Sequence, residues 1–232
     1  MRRTYKEVDV AALDKGFEIT LDGKALKTPA GTPIVVPTRA LAEAIAAEWV
    51  KQGDPLQFDA VPLTRIASAA LERVSARRAA LHRELAAYGE TELVCHRADR
   101  PPDLVARQHA AWQPLVDWLA HRFDAPLATT QGVIARPQPP ASLSALARAI
   151  EGYDDWRLAA LSVAVGAAGS LAIGLALIEG RLDPAQAFEA AELDATYQTE
   201  SWGDDPEASR RRAEVRADLE VAARFVALAM AA

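Results

Sequence analysis

The segment that most constrains the fold is residues 158 to 178, a run of 21 residues from Leu158 to Ile178 without a charged side chain. At about 1.5 Å per residue, a helix of this length could cross a bilayer. Its nine Leu, Ile and Val residues favour insertion by only about 4 kcal/mol, however, and two serines and three glycines oppose it. We expect two helices, or one bent helix, broken near Gly169 and Ser170 and buried in a helical bundle. A membrane-anchored subunit held by residues 158–178 is the alternative.

Alanine abundance also indicates helices packed closely against each other. The chain has 51 alanines among its 232 residues, whereas only 6% of its residues are aromatic. Alanine is the best helix former and is too small to fill the core of a sheet. Half of the residues are hydrophobic, which excludes general disorder. Acidic residues are interleaved with the basic ones and the net charge is -6, so we expect no nucleic-acid partner.

The first third of the chain differs from the rest. Residues 16–36 alternate apolar and polar side chains around turns at Asp22-Gly23 and Ala30-Gly31, which predicts short antiparallel strands. A helix should follow Thr38, its N-cap, and residues 56–58 could form a further strand. We therefore predict an α+β fold with a small N-terminal α/β domain of antiparallel strands at 1–70 and an all-helical domain at 71–232.

Three aspartates are predicted to begin helices in the second part of the chain. Asp154-Asp155 is typical of an N-cap, and Asp183-Pro184 and Asp205-Pro206 combine an N-cap with proline at the first helical position.

Common catalytic signatures are missing from the sequence. It contains no GxGxxG, GxxxxGK[ST], HExxH or GxSxG motif. The single cysteine, Cys95, precedes His96, but adjacent side chains point apart in a helix or strand, which disfavours a catalytic pair. We expect no enzyme, no cofactor and no metal site. The alternative is an enzyme that uses acids of residues 194–207 with His96 or His109.

Cysteine usage and the N-terminal residues predict the compartment. A lone cysteine cannot form an internal disulfide, which favours a reducing environment. Residues 1–10 include two arginines without an apolar segment behind them, so we expect no targeting signal and a cytoplasmic protein. We also expect a monomer.

Two segments combine aromatic and polar residues, as recognition surfaces do. Residues 107–114 read RQHAAWQP, and residues 194–205 read DATYQTESWGDD. Either segment could present a binding surface, or it could be an amphipathic helix whose aromatic residues fill the core.

Six segments, in this order, resemble the assembly chaperones of the catalytic headpiece of F-type ATP synthase. They are GFEITLDGKALKTP (16–29), EWVKQGD (48–54), TELVCHRA (91–98), RQHAAWQPLVDW (107–118), GSLAIGLALIEGRL (169–182) and LDATYQTESWGDD (193–205). The resemblance implies a small α/β domain joined to a helical domain. It also implies a bacterial, non-enzymatic chaperone that binds the free alpha subunit.

The same resemblance implies which residues bind the partner. Asp194, Gln198, Trp202 and Gly203 match the principal positions, and Arg107 and Trp112 match secondary ones. One departure from the family pattern is Ala195, which stands where the family usually has a glutamate after the Leu-Asp pair.

Overall fold

The computed structural model describes residues 2–132, 136–203 and 205–231. The chain divides into two compact units. Unit 1 comprises Met1–Arg78, Asp154–Ala160 and Arg224–Ala232, and unit 2 comprises Ala79–Tyr153 and Leu161–Ala223. Antiparallel strands come first along the chain and helices dominate the remainder, so the predicted α+β class is confirmed.

Unit 1 contains a four-stranded antiparallel sheet. Its strands are β1 (Val8–Leu13), β2 (Gly16–Leu21), β3 (Lys24–Ala25) and β4 (Val35–Val36), and β2 pairs with each of the other three. The predicted turn after β2 is confirmed: Asp22 and Gly23 have φ angles of 48° and 75°. The Asp22 carboxylate accepts the amides of Lys6 and Glu7 at 2.9 and 2.8 Å. Strand β1 was outside the predicted strand region.

Helix α1 (Arg39–Val50) packs on this sheet through a buried stripe of Leu41, Ile45 and Trp49. As predicted, Thr38 is its N-cap, and the Thr38 hydroxyl accepts the Leu41 amide at 3.1 Å. The stripe repeats every four residues, so it stays on one face of the helix.

The possible strand at residues 56–58 is wrong. Residues Phe58–Ala60 form a 3-10 turn. The Gln57 amide donates to Gln52 Oε1 at 2.7 Å, so this amide is not available for pairing with a neighbouring strand. The chain then continues through α2 (Pro62–Ala69), a π-helical turn (Ala70–Val74) and α3 (Ser75–Tyr88).

A buried glutamate caps the start of α2. The Glu48 carboxylate accepts the amides of Leu63 and Thr64 at 2.7 and 3.0 Å and the Thr64 hydroxyl at 2.7 Å. Burial raises the pKa of Glu48 despite these hydrogen bonds.

The rest of the chain is mainly helical. It forms a 3-10 turn at Leu93–Cys95, a short parallel pair of β5 (His96–Arg97) and β6 (Thr130–Gln131), and the helices α4 (Pro102–Phe123), α5 (Pro140–Glu151), α6 (Asp155–Ala168), α7 (Leu171–Ile178), α8 (Pro184–Ala191), α9 (Leu193–Trp202) and α10 (Pro206–Ala229). The three predicted N-caps are confirmed, because Asp154, Asp183 and Asp205 accept the amides of Arg157, Gln186 and Ala208 at 2.7, 2.8 and 3.1 Å.

The uncharged segment forms two helices that meet at the predicted break. Gly169 has a φ of 63°, and the Ser170 hydroxyl caps α7 by accepting the Ile173 amide at 3.1 Å. All eight residues of α7 are buried. A β-carbon on Gly174 would lie 2.5 Å from Val165 Cγ2, so glycine lets α6 and α7 approach. In the parts of the chain that the structure describes, no helix is long and apolar enough to cross a membrane.

The Glu92 carboxylate fixes the start of α7 in unit 2. It accepts the Ser170 hydroxyl and, at 3.1 Å, the Ala172 amide. Glu92 is 1% exposed, and burial raises its pKa. A buried glutamate carboxylate that accepts backbone amides at the start of a helix therefore occurs in both units.

Candidate functional site

A groove of about 380 Å³ runs along one side of helix α9 in unit 2, and we call it the α9 groove. Three of the predicted partner-binding residues, Asp194, Gln198 and Trp202, line it from α9. The opposite wall is formed by β5, the start of α4 and the residues between them. Segments far apart in the sequence therefore meet at one surface.

Trp202, the last residue of α9, is the most accessible large hydrophobic side chain in the described residues, with 80% of its surface exposed. Gln198, one helical turn earlier, is also exposed. Single exposed apolar residues are common, but a tryptophan exposed to this extent beside a groove is typical of a binding anchor.

Gly203 ends α9 directly after this tryptophan. Its φ and ψ angles are 91° and 172°, a region that is accessible essentially only to glycine. The Gly203 amide donates to the Thr199 carbonyl at 2.9 Å, and a β-carbon at Gly203 would meet open space. Backbone conformation, and not crowding, therefore requires this glycine.

Asp194 is held by a buried amide of α4. Gln108 is 2% exposed. Its Nε2 donates to Asp194 Oδ1 at 2.8 Å, and its Oε1 accepts the Ala98 amide at 2.7 Å. Gln108 thus joins α9, α4 and the chain after β5. Asp194 fixes α9 in place while it lines the groove.

Arg107 also contacts side chains of α9. Its Nη1 donates to Glu200 Oε2 at 2.6 Å, and its guanidinium lies 5.3 Å from the ring centre of Tyr197. The hydrogen bond to Glu200 raises the pKa of Arg107. Tyr197 in turn donates its hydroxyl hydrogen to the Asp103 carboxylate at 3.0 Å. Arg107 is exposed, so it can orient α9 and still meet a partner.

Trp112 lies in the core. It is 1% exposed, and its indole Nε1 donates to the Ala190 carbonyl at 2.9 Å. The structure gives Trp112 a packing role between α4 and α8. Its assignment as a secondary contact stays a prediction.

Two arginines of α10 hold the N-terminal end of α9. Arg211 Nη2 donates to both carboxylate oxygens of Glu192 at 2.9 and 3.0 Å, and Arg212 lies 3.5 Å from the same carboxylate. Glu192, which is 4% exposed, directly precedes α9. Charge-assisted hydrogen bonds of this kind hold the Glu192 carboxylate in place at the start of α9.

The structure places Cys95, His96 and His109 in three different surroundings. Burial raises the pKa of the Cys95 thiol to about 12, so the thiol is protonated near neutral pH. His96 lines the α9 groove together with Asp194, whereas His109 lines a different groove, and within the described ranges neither histidine hydrogen-bonds an acid. Asp204, one of the acids of residues 194–207, lies outside the described residues. No cluster of three His, Cys, Asp or Glu residues suited to a metal occurs in the described ranges.

Two structural residues of this site were missed by the sequence predictions. Gln108 lies on the apolar stripe of α4 with Trp112, and a polar residue on such a stripe is a signal for a buried hydrogen-bonded amide. Arg97 is 7% exposed, donates from Nε to the Val94 carbonyl at 2.7 Å, and lies over Trp112. No local pattern in the sequence distinguishes Arg97 from the surface arginines.

Known proteins match this chain along most of its length. The family model described as "ATP12 chaperone protein" matches residues 2–120. The chain belongs to the ATP12 chaperone family. Over 214 residues it is 24% identical to the Schizosaccharomyces pombe protein named "Protein atp12, mitochondrial". The alignment covers 87% of this chain and 74% of that protein. The expected family of ATP synthase assembly chaperones is thereby confirmed.

Solved structures of similar proteins share the fold. The crystal structure of Atp12 from Paracoccus denitrificans is 39% identical, covers 98% of each chain and has a TM-score of 0.93. The Atu1473 protein from Agrobacterium tumefaciens is 36% identical, with a TM-score of 0.87 over 97% of this chain and 84% of that one. This likeness extends over both units, so the ATP12 assignment covers the helical region beyond residue 120.

Proposed function

We propose that this ATP12 chaperone binds the free alpha subunit of the F-type ATP synthase headpiece and shields its apolar interface until the beta subunit replaces it. The observation that carries the proposal is Trp202, exposed at 80% beside the α9 groove. The partner follows from the family resemblance, and the contact surface follows from the position of α9. Asp194, Gln198 and Gly203 complete this surface, with Arg107 at its edge.

Trp202 can supply a large part of the binding energy. Covering most of an indole removes roughly 150 Å² from water, which favours binding by on the order of 4 kcal/mol before ordering costs. The groove beside it offers hydrogen-bonding groups that can orient the partner. A few such anchors account for most of the affinity of many interfaces.

Client release should need no nucleotide. When the beta subunit competes for the same alpha surface, mass action displaces the chaperone. This exchange suits a dissociation constant of about 1 μM, or about -8 kcal/mol. We further propose that the protein is a non-enzymatic monomer that acts in the bacterial cytoplasm, in line with its bacterial structural relatives.

Purified protein should suppress the aggregation of isolated alpha subunit in the absence of ATP, because it covers apolar surface that would otherwise associate. Light scattering of refolding alpha subunit, with and without equimolar protein, measures this effect. The Leu13→Ala variant is a control and should suppress scattering as well as the wild type does. Leu13 is 47% exposed on β1 and does not line the α9 groove. Equal scattering with and without the protein would contradict the proposal.

A further inference from the structure

Unit 1 contains a second groove, of about 640 Å³, which we call the unit 1 groove. Its volume is within the usual range of ligand sites, about 300 to 1,000 Å³. The apolar part of its wall comes from the residues before β1, from the sheet, from α1 and from the residues before α2, and comprises Tyr5, Leu21, Trp49, Leu56, Phe58 and Val61. Tyr5, Trp49 and Val61 are buried. Phe58 is 54% exposed, and Leu21 and Leu56 are half-buried, so these three side chains provide the apolar surface that a partner can reach.

Four cations surround this apolar surface. Arg2, Lys27, Arg65 and Arg73 line the unit 1 groove and are exposed. Among the residues that the structure describes, none of the four forms a salt bridge or a side-chain hydrogen bond. One acid, Glu72, lines the groove, and its carboxylate accepts the Ala30 amide at 3.0 Å. The lining thus has four positive charges and one negative charge, although the whole chain has a net charge of -6.

The spacing of the cations selects the class of ligand. Arg65 and Arg73 are eight positions apart on a continuous helical path, which separates their backbones by roughly 12 Å. Four cations spread over the groove wall carry more charge than one carboxylate or phosphate can balance. A chain that carries several carboxylates between apolar side chains can balance them.

We infer that the unit 1 groove binds an extended polypeptide segment in which acidic residues flank apolar anchors. The apolar side chains would lie against Leu21, Leu56 and Phe58, and the carboxylates would meet the rim cations. This site is separate from the α9 surface and does not depend on which subunit is the client. An acidic, apolar segment of any unfolded or unassembled protein would suit it.

Short peptides capped at both ends test this inference on the full chain. One peptide alternates Leu or Phe with Glu, and its matched partner has Gln in place of each Glu. We expect the acidic peptide to bind about tenfold more tightly, since several exposed ion pairs each contribute modestly. The difference should shrink as salt is raised, because salt screens exposed charges.

The indole resonance of Trp49 locates the binding. Its Nε1 donates to Thr64 Oγ1 at 3.1 Å, and both residues line the groove. We expect the acidic peptide to shift this resonance in NMR spectra at concentrations that match the affinity measured by calorimetry. An unshifted Trp49 resonance under saturating peptide would overturn the inference.

Charge reversal gives a matched pair of variants. The Arg65→Glu, Arg73→Glu double variant should weaken binding of the acidic peptide about tenfold. The Lys15→Glu, Arg210→Glu double variant changes the net charge equally, and neither of these exposed residues lines the groove, so its affinity should stay within about twofold. Phe58→Ala should weaken binding about fivefold through its lost apolar contact.

Other occupants give distinct results. Equal affinity for the Glu and Gln peptides, or equal losses in both double variants, would overturn the inference. Tighter binding of decanoate than of the acidic peptide would mean an amphipathic acid site. Concentration-dependent dimers that Phe58→Ala abolishes would mean that a second copy occupies the groove. Sedimentation with anionic lipid vesicles, but no peptide binding, would mean a membrane surface. None of these results depends on the alpha subunit.

Discussion

Helices α7 and α9 of unit 2 are close in length but differ in what surrounds them. All eight residues of α7 are buried, and its start is capped by Ser170 and the buried Glu92. All ten residues of α9 keep part of their surface exposed, and α9 ends in an exposed tryptophan. The polar contacts of α9 come from α4 and α10 and fix its position without covering its outer face.

We propose that this difference separates stability from recognition within one unit. Substitutions in α7 remove packed apolar surface, so they should act on the free energy of unfolding. Substitutions on the outer face of α9 should act on client binding and leave unfolding nearly unchanged. Single-residue variants of α7 and α9 test how sharply the two roles divide.

Leu175→Ala in α7 should give the largest effect on stability. Leu175 is fully buried, and its truncation leaves a cavity, which lowers the free energy of unfolding by about 3 kcal/mol. Urea denaturation measures the change. Gln198→Ala on the exposed face of α9 is the matched control and should stay within about 0.5 kcal/mol. Comparable losses in the two variants would remove the distinction between the helices.

Stability should also depend on pH through Glu92. Burial raises its folded pKa above the ordinary value of 4.5. Between these two values the folded protein binds more protons than the unfolded chain, so the free energy of unfolding falls as pH rises. The contribution is fully present below pH 4.5 and is lost as pH passes through the folded pKa.

Replacing Glu92 with Gln removes this titration. We expect urea denaturation at a series of pH values to show a shallower decline for Glu92→Gln than for the wild type. Some decline should remain, because burial also raises the pKa of Glu48 in unit 1. An unchanged slope would mean that Glu92 does not titrate differently in the folded and unfolded states.

Local chemistry made much of the fold predictable. Gly169 and Ser170 predicted the break between α6 and α7, because glycine favours a positive φ and serine caps a helix. Thr38 and Asp183 predicted helix starts for the same reason. Strand β1 was missed, since the alternation at Val8 and Val10 stops at two alanines. Pairing with β2 decides its conformation, and a short local pattern does not encode pairing.

The burial of the candidate site residues could not be predicted from the sequence. Trp112 and Trp202 occur in similar mixtures of polar and aromatic residues, yet one is 1% exposed and the other 80%. Their exposure depends on which helix faces pack against α4, and that is set by contacts between distant segments. For the same reason, the sequence did not reveal that Asp194 would be held by Gln108.

Ala195→Glu should produce a smaller effect, on binding alone. Ala195 lies on α9, partly exposed, between Asp194 and Thr196, and the family pattern has a glutamate there. If that acid contacts the client, the variant should bind alpha subunit a few-fold more tightly, by on the order of 1 kcal/mol for a charged contact. Calorimetry with wild type and variant measures it. Unchanged affinity would mean that Asp194 and Trp202 suffice.

We expect Trp202 to bind the client and to contribute little to the stability of the fold. The direct test measures, for Trp202→Ala and wild type, both the affinity for isolated alpha subunit and the free energy of unfolding. We predict that affinity falls by about 2 kcal/mol or more while unfolding changes by less than about 0.5 kcal/mol. A large loss of stability with unchanged affinity would contradict the account.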